Sequence, residues 1–154
     1  MSGNVANSSS PMDGISQKEW LKQYLPLSKE VVQLEQRIKE LETAMYYPQS
    51  PSMEGTIKGS WAGDKIERSI QQKEELIRLY EKKREALMAR LAEIESAIDV
   101  LTPTERMLVR NRYIEGMTWE EVCVAMGYSW TQTHRIHSAA LVKLTAAEER
   151  KAQG

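Results

Sequence analysis

The chain has 154 residues, 41% hydrophobic and 28% charged, with 8 Gly, 5 Pro and no Phe. That leaves room for one or two small domains of long charged helices and too little for a multidomain enzyme. Lys and Arg number 21 against 22 Asp and Glu, and only residues 101–154, with 7 basic and 6 acidic side chains, lean positive; no overall cationic field announces a nucleic-acid or membrane partner.

Residues 1–15 are rich in Ser, Asn and Gly and read as a disordered tail, because nothing there buries enough apolar surface to offset the entropy of ordering. They lack the basic start and apolar run of a signal peptide, and no window approaches 18 consecutive apolar residues. This predicts a cytoplasmic protein with no membrane partner. Cys123 is the only cysteine, so an intrachain disulfide is excluded and a reducing compartment fits.

Ser16, Gln17, Lys18 and Glu19 have capping-box spacing and predict a helix start. Trp20, Tyr24, Leu27, Val31, Leu34, Ile38, Leu41 and Met45 then alternate at spacings of 4 and 3, a heptad seam. Pro26 lies off the seam and predicts either a kink or a new first turn at Leu27. Residues 47–63 hold Pro48, Pro51, Gly55, Gly59 and Gly63 and read as a long loop. A second seam follows through Ile66, Ile70, Lys73, Ile77, Tyr80, Arg84, Leu87, Leu91, Ile94, Ile98 and Leu101. Residues 16–100 are therefore expected to form an antiparallel coiled-coil hairpin. At about 1.5 Å per residue the first helix spans roughly 45 Å and the second roughly 55 Å. Ile94, Ile98 and Leu101, at the far end of the longer helix, then need another apolar surface. A second copy of the chain is the expected cover, giving a homodimer; the C-terminal domain of the same chain is the rival.

Residues 101–145 hold three helix starts in succession: Thr102-Pro103-Thr104-Glu105, Thr118-Trp119-Glu120-Glu121 and Ser129-Trp130-Thr131-Gln132. Glu115 and Gly116 end the first helix and Gly127 ends the second. A short helix, a glycine turn and a longer helix make a helix-turn-helix. Cys123 is expected to be buried at the helix crossing, with Gly127 at positive φ and Val122, Met126, Tyr128 and Ile136 plugging the angle beside a weaker Thr133.

On the last helix a 100° wheel gathers Thr133, Ile136, Ala140 and Leu144 on one side, with Leu141 beside them. The other side carries Thr131, Arg135, Ser138 and Val142, flanked by Gln132 and His134, with no acid among them. Such side chains donate to or accept from base edges and phosphates. The candidate DNA-contacting residues are Thr118, Trp130, Thr131, Gln132, His134, Arg135 and Ser138. Arg110 and Arg112 read equally as solvated charges or phosphate contacts, and residues 146–154 as a charged tail.

The stretch from Thr104 to Leu144, above all RYIEGMTWEEVCVAMGYSWTQTHRIHSAALVKL from Arg112 onward, resembles region 4 of bacterial RNA polymerase sigma factors. It resembles more closely the small phage and prophage late-transcription regulators of the ArpU and RinA type, as do the glycine-rich break before GDKIERSI (Gly63 to Ile70) and the long charged helix that follows. The resemblance implies promoter binding and control of phage genes in a bacterial host cell, with contact to RNA polymerase. The heptad hairpin stands where a complete sigma factor has its aromatic promoter-opening region.

No glycine-rich phosphate loop, Ser, His and Asp set, or carboxylate cluster with metal spacing is present, so neither an enzyme nor a cofactor is expected. His134, His137 and Cys123 read as no metal site, because Cys123 should be buried and His137 falls toward the inner edge of its helix. Two rival readings are a phage small terminase-like DNA-recognition subunit, whose helix-turn-helix usually precedes its oligomerising helices, and a non-DNA adaptor docking on RNA polymerase.

Overall fold

A computed structural model describes residues 15–46 and 60–154. Among the described residues every regular element is helical. Residues 1–14 of the expected tail at 1–15 and residues 47–59 of the expected loop at 47–63 lie outside the described residues.

Helix α1 (Gln17–Leu21) starts at Ser16, whose hydroxyl accepts the Glu19 backbone N–H at 3.2 Å. Lys22 and Gln23 form a turn, and α2 (Tyr24–Tyr46) follows. The break thus lies upstream of Pro26, which sits in the first turn of α2, where its missing N–H removes no intrahelical bond. Helix α3 (Ser60–Ala97) begins earlier than the glycine content predicts and takes in Gly63. A Cβ at Gly63 would meet nothing within 4 Å, so that glycine weakens the helix only through its propensity, by about 1 kcal/mol.

The chain forms two compact units. One is Leu27–Ala89; the other joins residues 15–26 to Arg90–Gly154. This division differs from the boundary near residue 100 that the heptads predict, because the first and last stretches of the two seams belong with the C-terminal third.

The first unit is an antiparallel hairpin, shorter than the 16–100 expected. Lys73 Nζ reaches Glu42 Oε1 at 3.1 Å and Lys83 Nζ reaches Glu30 Oε2 at 3.0 Å, so positions along α2 fall as those along α3 rise. The α2 seam is as predicted, with Leu27, Val31, Leu34, Ile38, Leu41 and Met45 all buried or half-buried. The α3 seam is not. Ser69, Lys73, Leu76, Tyr80, Lys83 and Leu87 turn toward the pairing, whereas Ile66, Ile70 and Arg84 stay exposed. Lysine stems cover apolar surface while their ammonium groups pair at the rim, so Lys83 takes a position that hydrophobicity alone assigns to Arg84.

The second unit is a helical head. It contains α1, a 3-10 turn (Ile98–Val100), α4 (Pro103–Val109), a π-helical turn (Arg110–Ile114), α5 (Trp119–Met126) and α6 (Trp130–Gln153). Helices α1, α4 and α5 and the 3-10 turn all pack on α6. Trp20, Leu21, Leu108, Val109, Val122 and Thr133 are among its fully buried side chains. Ile94 and Ile98 are 0% exposed and Leu101 4%. The apolar end of the second seam is therefore covered by the chain's own head, which removes the argument for a dimer through that end. Helix α6 runs to Gln153, so residues 146–153 of the expected charged tail continue the helix; Arg150 and Lys151 in its last turn complement the helix dipole.

Two ion pairs tie the head together. Arg110 donates to both Glu95 oxygens, at 3.1 and 2.5 Å, and holds that carboxyl below its ordinary range. Lys143 on α6 donates to Glu105 Oε1 on α4 at 2.5 Å.

Because Trp20 is fully buried in a unit most of whose residues lie beyond position 89, Trp20→Ala is expected to destabilise the head by about 3–5 kcal/mol. Val32→Ala, at a position 60% exposed, should shift stability by no more than about 0.5 kcal/mol. Urea denaturation followed by circular dichroism checks both.

Candidate nucleic-acid interface

The helix starts expected from sequence are all present, but they are not equivalent. Thr118 accepts the Glu121 backbone N–H at 3.2 Å while Glu121 Oε2 accepts the Thr118 N–H at 2.8 Å, a reciprocal box at the start of α5. Ser129 and Gln132 make the same exchange at α6, at 3.2 and 3.3 Å. Thr102 accepts from Glu105 N–H at 3.2 Å, yet the Glu105 carboxylate turns to Lys143 instead of closing a box. Gly127 holds φ 70° and ψ 29° after α5, and the N–H groups of Gly127 and Tyr128 both donate to the Cys123 carbonyl, at 2.9 and 3.2 Å. These caps fix α5, the turn and α6 as a helix-turn-helix.

The packing of the angle differs from expectation in three places. Val122 and Thr133 are fully buried and Met126 and Ile136 half-buried. Thr133 is thus a central plug, compact enough to be enclosed, with its hydroxyl unpartnered among the described residues. Tyr128, between the left-handed Gly127 and the extended Ser129, stays 38% exposed and is not one of the enclosed side chains of the angle. Cys123 is half-buried; the backbone carbonyl at that position, more than its thiol, serves the turn.

Behind the motif lies an aromatic cluster that sequence reading did not assemble. The π-helical turn carries Tyr113 inward, where its hydroxyl lies 2.7 Å from His137 Nε2 in a buried hydrogen bond. His134 sits between two indoles, its ring 4.4 Å from both Trp119 and Trp130, and Trp119 meets the His137 ring edge-on at 4.7 Å. Arg112 stacks its guanidinium 4.8 Å from the Trp119 ring and donates to the Met117 carbonyl at 2.7 Å. Burial pushes Tyr113 up to about 12, against the pull of Arg112. Burial, then the charges of Lys18, His134 and Arg112, push His137 down to about 4. Both partners are neutral near pH 7.

On the outer face of α6, Thr131, Gln132, Arg135 and Ser138 are exposed, Trp130 is 52% exposed, and Thr118 is exposed at the start of α5. These six predicted contact residues remain available. The seventh, His134, is half-buried between its two indoles and supports the face from behind. Gln132 already accepts the Ser129 N–H, so its free capacity is chiefly its amide donor. Arg110 and Arg112 are engaged within the head. No acidic residue occurs between Tyr128 and Ala147, although Glu120 and Glu121 are exposed on α5. Among the described residues no three His, Cys, Asp or Glu side chains are grouped to hold a metal. The Trp130–His134 contact has i, i+4 spacing and could have been read from sequence; the Tyr113–His137 contact bridges 24 residues and carries no local signal.

Residues 97–146 match the family Sigma-70, region 4. The match runs from the end of α3 through the 3-10 turn, α4, the π-helical turn and α5 into α6, and leaves α1, α2 and most of α3 outside it. Region 4 domains bind DNA and contact RNA polymerase, and this segment is similar to them in sequence and carries a helix-turn-helix. Neither a curated protein nor a solved structure matches the chain.

A histidine whose folded pKa lies below its unfolded value of about 6.5 makes folding less favourable as pH falls between the two. From pH 6.5 down to about 4 the unfolded chain takes up a proton that His137 in the folded head refuses. The head should lose stability steadily through that window. Chemical denaturation at half-unit pH steps checks this, with His137→Gln expected to flatten the decline above pH 5, before most carboxylates titrate.

Proposed function

We propose that this chain is a sequence-specific transcription regulator that lays the N-terminal half of α6 in the major groove of promoter DNA. One observation carries the reading: the outer face of α6 is exposed, polar and free of acids, on a helix whose inner face is locked into the head. Arg135 and Gln132 read base edges, Thr131 and Ser138 add hydrogen bonds beside them, and Thr118 and Trp130 meet the sugar-phosphate backbone at the two helix starts. His134 holds the Trp130 ring in place. With few free cations on this face, affinity rests on hydrogen bonding and shape more than on counterion release.

The promoters we infer are those of phage or prophage late genes in the cytoplasm of a bacterial host. Support for this comes from the likeness of Arg112 to Leu144 to the ArpU and RinA type of regulator. RNA polymerase is a second partner on this reading, in keeping with the region 4 class. Selection from a random duplex pool, followed by footprinting on phage promoters, tests the whole: a defined sequence should be enriched and protected. Retention by DNA that is absent at every salt concentration, with polymerase binding intact, would favour the adaptor reading instead.

Arg135→Ala should weaken binding to the selected sequence by about 1–3 kcal/mol while leaving the melting transition unchanged. Gln132→Ala confounds base contact with loss of the α6 cap, so Gln132→Glu is the informative change there. It keeps an acceptor for the Ser129 N–H and should alter base preference. Competition binding at fixed salt reads both, and unchanged preference in both would exclude this face as the reader.

A further inference from the structure

Helix α3 carries a second heptad stripe that α2 leaves uncovered. Ile70, Glu74, Ile77, Glu81, Arg84 and Met88 follow one another at spacings of 4, 3, 4, 3 and 4, one residue on from the face that pairs with α2 and so rotated about 100° from it. Ile70 is 41% and Met88 50% exposed, Ile77 is half-buried, and Glu74, Glu81 and Arg84 are exposed. Neither Glu74 nor Arg84 forms an ion pair among the described residues.

This stripe is complementary to its own reverse. Its spacing is palindromic, so a second copy running antiparallel meshes with it in register about residue 79. Ile70 then faces the partner's Met88, Glu74 faces the partner's Arg84, and Ile77 meets the methylenes of the partner's Glu81, each contact occurring twice. A parallel copy would set Glu74 against Glu74 and Arg84 against Arg84, which like-charge repulsion disfavours.

We propose that this stripe is the interface of an antiparallel homodimer, in which two hairpins associate through their α3 helices across a two-fold axis near Leu79 into a four-helix arrangement. The two-fold axis makes the interface isologous, so one patch serves both sides. The inference concerns the hairpin unit and does not depend on DNA being the ligand of the head.

Sedimentation equilibrium of the full chain at tens of micromolar tests it without DNA. The wild type is expected at twice the 17.6 kDa chain mass. Glu74→Arg and Arg84→Glu each set like charges opposite one another and should each halve that mass. The double variant E74R/R84E restores opposite charges and should return to the dimer. Unchanged helical circular dichroism confirms that these exposed positions leave the fold intact. A monomeric wild type, single variants that stay dimeric, or a double variant that stays monomeric would each overturn the proposal.

Discussion

Burial of the inner face of α6 is the constraint on which the head depends. Thr133, His137, Ala140 and Leu144 form one stripe, and α1, α4, α5 and the 3-10 turn each pack against α6. Because α6 is held from several directions, its opposite face is fixed in orientation and left open. Side chains on a rigid helix are placed more accurately than those on a loop. Two members of the stripe are polar, and they are handled differently. His137 is paired with Tyr113 as a neutral partner, whereas Thr133 is fully buried with its hydroxyl unpartnered among the described residues.

The basic residues of the head serve its architecture first. Arg110 clamps Glu95, Lys143 holds Glu105, and Arg112 is stacked on Trp119 and bonded to Met117. A count of cations in the C-terminal third therefore overstates the charge available to a polyanion. Arg135 is the exposed cation on the central outer face of α6, which concentrates the electrostatic part of any phosphate or guanine contact at one position.

The legible parts of the sequence were those whose cause is local. Ser16, Thr102, Thr118 and Ser129 begin helices, and Gly116 and Gly127 adopt positive φ after helical segments, because capping and left-handed backbone need particular residue types at particular offsets. The separation of buried from exposed side chains on α6 also followed from periodicity. What periodicity cannot register is a change of partner along one seam. Trp20 and Tyr24 continue the pattern of Leu27 and Val31 without interruption, yet they belong to a different compact unit. The same blindness hid the cover over Ile94 and Ile98. On α3 the pattern misleads for a chemical reason: the stem of Lys83 is apolar surface although the residue counts as charged. The Tyr113, Trp119 and His137 cluster joins the π-helical turn, α5 and α6, and only the folded chain brings them together.

The head is built from two stretches that flank the hairpin, and this sets an order of events as the chain is made. Trp20 and Leu21 leave the ribosome long before α4, α5 and α6 exist, and they wait through the synthesis of residues 27–89 with no core to enter. The hairpin, whose two strands of helix adjoin in sequence, is free to form in that interval. A closed hairpin shortens the effective loop between the early segment and the late one and so reduces the entropic cost of joining them. Inserting one unit within the other thus makes closure of the outer unit less costly once the inner one has formed.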